Sequence, residues 1–379
     1  MRVLHVVPSF FPAHAYGGPI ISVYGLCAEL ARQGCDVRVL TTDANGLGQV
    51  LDVEKGRPIE LAPNFTVRYC RRRWRHSVSP ELLRELPGMA RWADVIHLTA
   101  VYNFPTFPTL ASCRISHKPV VWSPRGALQR WQNSRRRRWK AAWEMACRVL
   151  LPGQVALHVT SEQEAAESAP KFPRVRTVVI PNGVAMPDAV DHAPPNGTLR
   201  LMFLGRIDKK KGIENLLEAC SRLNGAIGRC WELTVAGAGD ANYIASLRHL
   251  AHERRLGEQV RFVGEMRGEP KARLFASSDI AVFPSHTENF GMVVAEALAH
   301  GVPVIATKGT PWGGVEGHGC GLWVDNESGA LSAAIERMSQ MPMREMGMRG
   351  RDWMAKEFTW SSVAQQMIEL YRRLQSGEV

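Results

Sequence analysis

No Cys-x-x-Cys pair occurs among the eight cysteines of this 379-residue chain, which stand at positions 27, 35, 70, 113, 147, 220, 230 and 320. Such spacing offers neither a disulfide framework nor a zinc site, and it predicts ordinary buried thiols in a reducing compartment. No stretch reaches the roughly 18 consecutive apolar residues that span a bilayer, and the apolar run at residues 1–8 is too short for a secretory leader. Aspartates and histidines do not cluster at metal-ligand spacing, so no metal and no other cofactor is expected. Gly237-Ala238-Gly239 lacks the third glycine of a dinucleotide fingerprint, and none follows the first strand, which disfavours nicotinamide chemistry. Nothing resembles a nucleic-acid-binding module. These absences predict a cytoplasmic chain, soluble or peripherally attached to a membrane.

What is present begins with charge. The formal net charge is +11, and the halves divide it unevenly: residues 1–190 hold 25 Lys/Arg against 14 Asp/Glu, and residues 191–379 hold 22 against 22. Two basic clusters interleaved with tryptophan stand in the first half, Arg71-Arg72-Arg73-Trp74-Arg75-His76 and Arg135-Arg136-Arg137-Arg138-Trp139-Lys140. They predict an anionic partner such as a membrane surface, against the plainer reading of a solvated face. On a helix over residues 130–150, Trp131, Trp139, Ala142, Trp143, Ala146, Val149 and Leu150 share one arc. Arg130, Arg136, Arg137, Lys140 and Arg148 fall outside it, and Arg135 alone breaks it. That arc suits either packing on its own domain or insertion of the tryptophans into an interface.

With 45% hydrophobic residues and a length two to three times that of a usual domain, the chain can bury two cores. Short β-rich runs alternate with helical patterns throughout, as in parallel sheets flanked by helices. The first half carries strand candidates at 3–7, 37–41, 66–69, 95–98, 120–122, 157–160 and 178–180. A helix opened by Pro19 places Val23, Leu26, Cys27, Leu30 and Ala31 on one face, and Gly34 closes it. Residues 181–198, with Asn182-Gly183, four prolines and Asn196-Gly197, read as an interdomain segment. The alternation then restarts, with strands at 199–204, 233–236, 260–263, 280–283 and 304–306. A last helix through Val363, Met367, Leu370, Tyr371 and Leu374 has no strand after it, and is expected to return to the first domain. The expected division is 1–184, a linker over 185–198, 199–358, and a returning helix over 359–379.

The most specific signal is Pro284-Ser285-His286-Thr287-Glu288-Asn289-Phe290-Gly291-Met292-Val293-Val294-Ala295-Glu296. It sets two carboxylates eight residues apart across a strand-to-helix junction, Glu296 about two turns beyond the loop holding Glu288, both able to face one site at the carboxyl end of a sheet. Gly291 permits close backbone approach, and the following helix N-terminus offers N–H groups to a diphosphate.

With these residues the chain resembles the retaining glycosyltransferases of family 4, whose E-x7-E motif Glu288 and Glu296 match. The likeness runs along nearly the whole chain: Gly17-Gly18; Ile180-Pro181-Asn182-Gly183-Val184; Gly205-Arg206-Ile207-Asp208-Lys209-Lys210-Lys211-Gly212; Val235-Ala236-Gly237-Ala238-Gly239; Val263-Gly264; and Ala299-His300-Gly301-Val302-Pro303-Val304-Ile305-Ala306. It implies an α/β chain of the GT-B fold, two Rossmann-like doubly wound domains facing a cleft. It further implies that Arg206 and Lys211 hold the diphosphate of a GDP- or UDP-linked sugar, balancing the leaving charge without a metal. Glu296 would take the ribose hydroxyls and Glu288 those of the transferred sugar, with the N–H groups of Phe290, Gly291 and Met292 completing the site; Lys209 and Lys210 are expected to be solvated. Gly17 and Gly18, just before a helix, would present an anion or acceptor site.

In one respect the chain departs from the family pattern. Many members end the region of the fourth strand in a histidine, whereas this chain reads Val120-Val121-Trp122-Ser123-Pro124-Arg125-Gly126, as in a subset associated with surface-polysaccharide or lipopolysaccharide assembly. Arg125 can steady the leaving phosphate or grip an anionic acceptor, but it stays protonated and cannot act as a base. His97 and His286 are the nearest alternatives, each more often structural than catalytic. The implied reaction is transfer of a hexose, with retention, to a lipid-linked or membrane-associated glycan at the inner face of the cytoplasmic membrane, the leaving phosphate taking the acceptor proton. A nucleotide-sugar epimerase on the same fold and a non-catalytic basic scaffold are the alternative readings.

Overall fold

The computed structural model describes residues 1–379 apart from 14, 16, 47, 76, 130–136, 195, 224–227, 229 and 379. His76, Arg130, Trp131, Arg135 and Arg136 of the sequence reading therefore lie outside the described residues, as does the side chain of Arg137. The chain divides into two compact units, Met1–Gly183 with Trp360–Val379, and Val184–Thr359.

The first unit is built on eight strands, β1 (Arg2–Val6), β2 (Asp36–Thr42), β3 (Pro58–Ala62), β4 (Phe65–Cys70), β5 (Val95–Thr99), β6 (Val120–Ser123), β7 (Val155–Val159) and β8 (Arg176–Val179). Their order is β3-β4-β2-β1-β5-β6-β7-β8, parallel except for β3 against β4. The interior strands β1, β5 and β6 are buried on both faces because helices cover both sides, as a parallel sheet requires. Helix Gly18–Arg32 follows β1 with Pro19 in its first turn, buries Val23, Leu26, Cys27, Leu30 and Ala31, and ends before Gly34 at φ +87°. Sequence patterning does not show β3, whose residues are mostly exposed at the sheet edge, so its pairing with β4 alone makes it a strand. Nor does it show helix Pro80–Trp92, which runs through Pro87 and is held by Leu82, Leu86 and Ala90 buried at four-residue intervals.

The second unit has six strands, β9 (Leu199–Leu204), β10 (Trp231–Ala236), β11 (Val260–Gly264), β12 (Ile280–Phe283), β13 (Val304–Thr307) and β14 (Gly321–Val324). All are parallel, in the order β11-β10-β9-β12-β13-β14. Chain order reverses between β9 and β12, the switch point outside whose carboxyl ends ligands sit in open α/β sheets. The expected linker and Val184 just before it are fastened to this unit: Val184 pairs with Thr359, Arg344 Nη2 donates to the Ala193 carbonyl at 2.9 Å, and Arg351 Nη2 donates to the Pro187 carbonyl at 2.6 Å.

The last helix, Trp360–Ser376, belongs to the first unit, where Val363, Met367, Leu370, Tyr371 and Leu374 join the core beneath helix Gly18–Arg32. Trp360 anchors it. A Cβ on Gly25 or on Gly183 would fall 2.4 Å from the indole, so only glycine at both positions admits the ring. Asn182-Gly183, a turn signal in the sequence, thus serves a packing purpose.

Candidate active site

The strand ends of the second unit bring together candidate site residues from two loops. The loop after β9 carries Arg206 and Lys211, and the loop after β12 carries Glu288. They meet because Gly212, at φ +60°, lies against Pro284, where a Cβ would sit 2.2 Å from the carbonyl oxygen. The His286 N–H donates to the Lys210 carbonyl at 2.8 Å, joining the loops directly. Lys211 Nζ donates to Glu288 Oε1 in an ion pair whose side chains are only 16% and 15% exposed. Ser285 Oγ donates to the same oxygen at 2.9 Å, and the Glu288 N–H donates to the Gly309 carbonyl at 2.8 Å. Thr307 Oγ1, at the end of β13, ties the Ser285 carbonyl at 2.6 Å. A carboxylate so held is oriented before any ligand arrives.

Helix Met292–Ala299 begins beside it, capped by Gly291 at φ +80°. Trp312 Nε1 donates to the Phe290 carbonyl, fixing the turn that leads into the helix. The first N–H groups of a helix lack intrahelical partners, and here they project from the loop that holds Glu288. Glu296 is the fifth residue of this helix, about one turn in rather than the two expected, because the chain turns helical only at Met292. It pairs with a different cation, Lys271, at 2.7 Å, both side chains largely buried. Arg206 is exposed, as are Lys209 and Lys210, while Lys211 is drawn inward by its pair. Lys271, Ser285 and Trp312 were not singled out from the sequence, because what recruits them is the adjacency of loops distant in sequence. The placement of Ser285 three residues before Glu288 is the only local hint.

In the first unit, Gly17 (φ +69°) caps helix Gly18–Arg32 and has open space where a Cβ would be. Arg125, at φ +53°, donates through Nη1 to Asn182 Oδ1, and its Nε is buried without a hydrogen-bond partner. Burial pushes its pKa down, the charge of Glu164 opposes this, and the guanidinium keeps its proton. Glu164 is in turn held by the Gly126 N–H at 2.6 Å and the Thr160 N–H at 2.8 Å.

His97 is fully buried and bonded at both nitrogens, to Tyr371 Oη at 2.6 Å and Ser123 Oγ at 2.6 Å. Ser123 Oγ reaches His158 Nδ1 at 2.7 Å, and His158 Nε2 reaches the Ile180 carbonyl at 3.0 Å. A carbonyl only accepts, so a neutral His158 donates from Nε2; Ser123 then donates to His158, His97 to Ser123, and Tyr371 to His97. His97 is thereby a structural histidine at the centre of a chain from the last helix to the end of β8, two residues before Asn182. His286 is exposed on its loop.

Burial lowers the pKa of His5 and of His158 to about 3, and that of His97 well below its ordinary value. An unfolded histidine takes its proton near pH 6.5, so the unfolded chain binds more protons below that pH. Stability from the buried neutral rings is complete above pH 6.5 and is lost as pH falls toward 3, at about 1.4 kcal/mol per histidine per pH unit. Melting temperature should therefore drop steadily from pH 7 to pH 4, and His5→Phe should flatten the slope. A melting temperature constant over that range would contradict neutral burial.

The basic clusters are not uniform. Arg71, Arg73, Trp74 and Arg75 are exposed, but Arg72 turns inward, donating to the Gly46 carbonyl at 2.9 Å and the Gln49 carbonyl at 2.7 Å. In helix Arg137–Leu150 the expected apolar arc divides. Trp143 packs inward with Nε1 donating to the Val101 carbonyl at 2.8 Å, whereas Trp139, Ala142 and Val149 are exposed. Glu144 is buried on the inward side with Cys147, accepting from Tyr102 Oη at 2.5 Å. Lys140 lies over the Tyr102 ring at 4.9 Å.

The family model Glycosyl transferases group 1 matches residues 188–353, and the model Glycosyltransferase Family 4 matches residues 16–186. A phosphatidyl-myo-inositol mannosyltransferase from Propionibacterium freudenreichii subsp. shermanii is 27% identical, covering 98% of this chain and 94% of that one. A D-inositol 3-phosphate glycosyltransferase from Pseudarthrobacter chlorophenolicus is 32% identical, but the match spans less than half of either protein, 48% of this chain and 44% of the relative. The fold matches that of a sucrose-phosphate synthase from Thermosynechococcus elongatus, at TM-score 0.77 and 23% identity over 100% of both chains. It also matches Anabaena HepE in complex with UDP and glucose, at TM-score 0.73 and 18% identity over 98% of this chain and 99% of that one. With both family models aligned end to end and GT-B enzymes sharing the whole fold, the chain belongs to the family 4, group 1 glycosyltransferases.

Proposed function

We propose that the chain is a retaining, metal-independent hexosyltransferase that moves a sugar from a GDP- or UDP-linked donor to a lipid-linked or membrane-associated glycan. The observation that carries this reading is the Lys211–Glu288 pair, set at the switch-point strand ends beside the helix N-terminus at Met292. Arg206 and Lys211 would neutralise the charge that grows on the leaving diphosphate, with the Phe290, Gly291 and Met292 amides as further donors. Glu288 would accept from hydroxyls of the transferred sugar and Glu296 from the ribose, while Lys271 holds Glu296 in place. Arg125 would grip an anionic group of the acceptor or the leaving phosphate, and the departing phosphate oxygen would take the acceptor proton. Among the described residues no group of three or more His, Cys, Asp or Glu could hold a metal, and no helix is long and apolar enough to cross a membrane.

Attachment to an anionic membrane face through residues 71–75 and the cationic flank of helix Arg137–Leu150 belongs to the same reading. The test is a thermal-shift screen against UDP-, GDP- and dTDP-sugars, followed by a transfer assay in excess chelator. One donor class should raise the melting temperature, and transfer should persist in EDTA. Arg206→Ala and Lys211→Ala should each weaken that donor about 10- to 100-fold, the worth of a charge-assisted hydrogen bond. Donor affinity unchanged in both variants would move the diphosphate elsewhere; activity lost to EDTA and restored by magnesium would overturn the metal-free reading; and a rearranged free sugar without transfer would identify an epimerase.

A further inference from the structure

A cavity of about 550 Å³ opens on the first unit, walled by Lys55, Arg71, Arg73 and Arg84, with one carboxylate, Glu81, in its lining. It lies where the chain leaves β4 and where helix Pro80–Trp92 begins, so the positive end of that helix adds to the cations. Two of the four are partly offset: Lys55 Nζ stands 3.5 Å from Asp43, and Arg84 Nε stands 3.3 Å from Glu85. Glu81 is engaged by the main-chain N–H of Arg71 at 2.9 Å rather than by a guanidinium. Among the described residues, the side chains of Arg71 and Arg73 have no ion-pair partner. None of these residues has a part in the donor chemistry above.

Beside the cavity the Arg73 N–H donates to the Val78 carbonyl at 2.9 Å and Trp74 is bridged to Val78. Trp74 is 64% exposed. Two unpaired arginines in a concave site match the two charges of a phosphate monoester, which guanidinium forks bind in register. An exposed indole one residue away suits the boundary between headgroups and acyl chains.

We propose that this cavity is a receptor for the phosphate monoester headgroup of an anionic lipid, with Trp74 seated in the interface next to it. The proposal rests on the membrane reading above and makes it specific: diffuse attraction responds to surface charge alone, whereas a built site distinguishes a monoester from a diester of equal surface charge.

Sedimentation of the full chain with phosphatidylcholine vesicles containing either phosphatidic acid or phosphatidylglycerol, matched for surface charge, tests it. The wild type should bind the phosphatidic acid vesicles at least about fivefold more tightly. The double variant Arg71→Gln/Arg73→Gln should lose that preference while keeping its melting temperature, since both side chains are exposed, and Trp74→Ala should weaken binding to both vesicles. Equal binding to the two vesicles by the wild type would overturn the lipid assignment and leave the membrane reading standing. Failure to bind either vesicle at low salt would remove both. If glycerol 3-phosphate in solution stabilises the wild type but not the double variant, while vesicles show no preference, the site takes a soluble phosphate and the lipid assignment is wrong.

Discussion

Glu288→Gln should lower the transfer rate at least about a hundredfold while leaving donor binding near that of the wild type. The amide has the shape of the carboxylate, and the backbone stays fixed by the bond from the Glu288 N–H to Gly309, so the loop has no reason to move. What disappears is the charge. In the resting chain that charge is balanced by Lys211 and bonded by Ser285; on the proposed route it faces a sugar ring that becomes positive as the leaving phosphate departs. An interaction that strengthens only along the reaction coordinate shows in kcat rather than in donor affinity. Losing the ion pair should lower stability by about 1–3 kcal/mol, the cost of leaving Lys211 without its charged partner in a largely dehydrated place. Wild-type turnover would remove Glu288 from the reacting centre, and a loss of donor affinity equal to the loss in rate would make it a donor-binding residue instead.

Gly212→Ala is expected to have the largest effect on the fold of the site. The residue adopts φ +60°, where an L side chain costs about 1–2 kcal/mol on its own. Its new Cβ would also stand 2.2 Å from the Pro284 carbonyl oxygen and 3.0 Å from Asn326 Nδ2, contacts that a backbone oxygen cannot yield without displacing its loop. Relief must part the loop after β9 from the loop after β12, which is the separation between Lys211 and Glu288. A loss of about 3 kcal/mol or more, read as a lower melting temperature, should accompany a fall in transfer of more than tenfold. Gly317→Ala is the control, since nothing lies within 4 Å of the position a Cβ would take in helix Gly314–Gly317; it should melt like the wild type. Equal melting temperatures for the two variants would show that the loops do not abut.

Local pattern was sufficient for the alternation of strands and helices, because an apolar run between turn residues commits itself without knowing its neighbours. It placed helix Gly18–Arg32 with its buried face, the central strands of both sheets, and the last helix with five of its six core residues, Ala364 being the one not read. Spacing across a strand-to-helix junction likewise singled out Glu288, Gly291 and Glu296. Elements whose identity depends on a partner were not visible: β3 is a strand only through β4, and helix Pro80–Trp92 survives Pro87 because three buried residues hold it.

Side-chain partnership lay further out of reach. A run of three lysines and a distant glutamate carry no sign of which lysine turns inward. That choice falls to Lys211 because the contact of Gly212 with Pro284 brings two loops together and sets Lys211 beside Glu288, 77 residues away in sequence. The pairing of Glu296 with Lys271, the inward turn of Arg72, the division of the apolar arc around buried Glu144, and the burial of His97 between Tyr371 and Ser123 were decided in the same way. The sequence by itself determined which residue types the site and surface could use, since composition and spacing act locally. The tertiary structure alone decided which of them are paired, buried or left exposed, because charge neutralisation and desolvation depend on neighbours that only folding supplies.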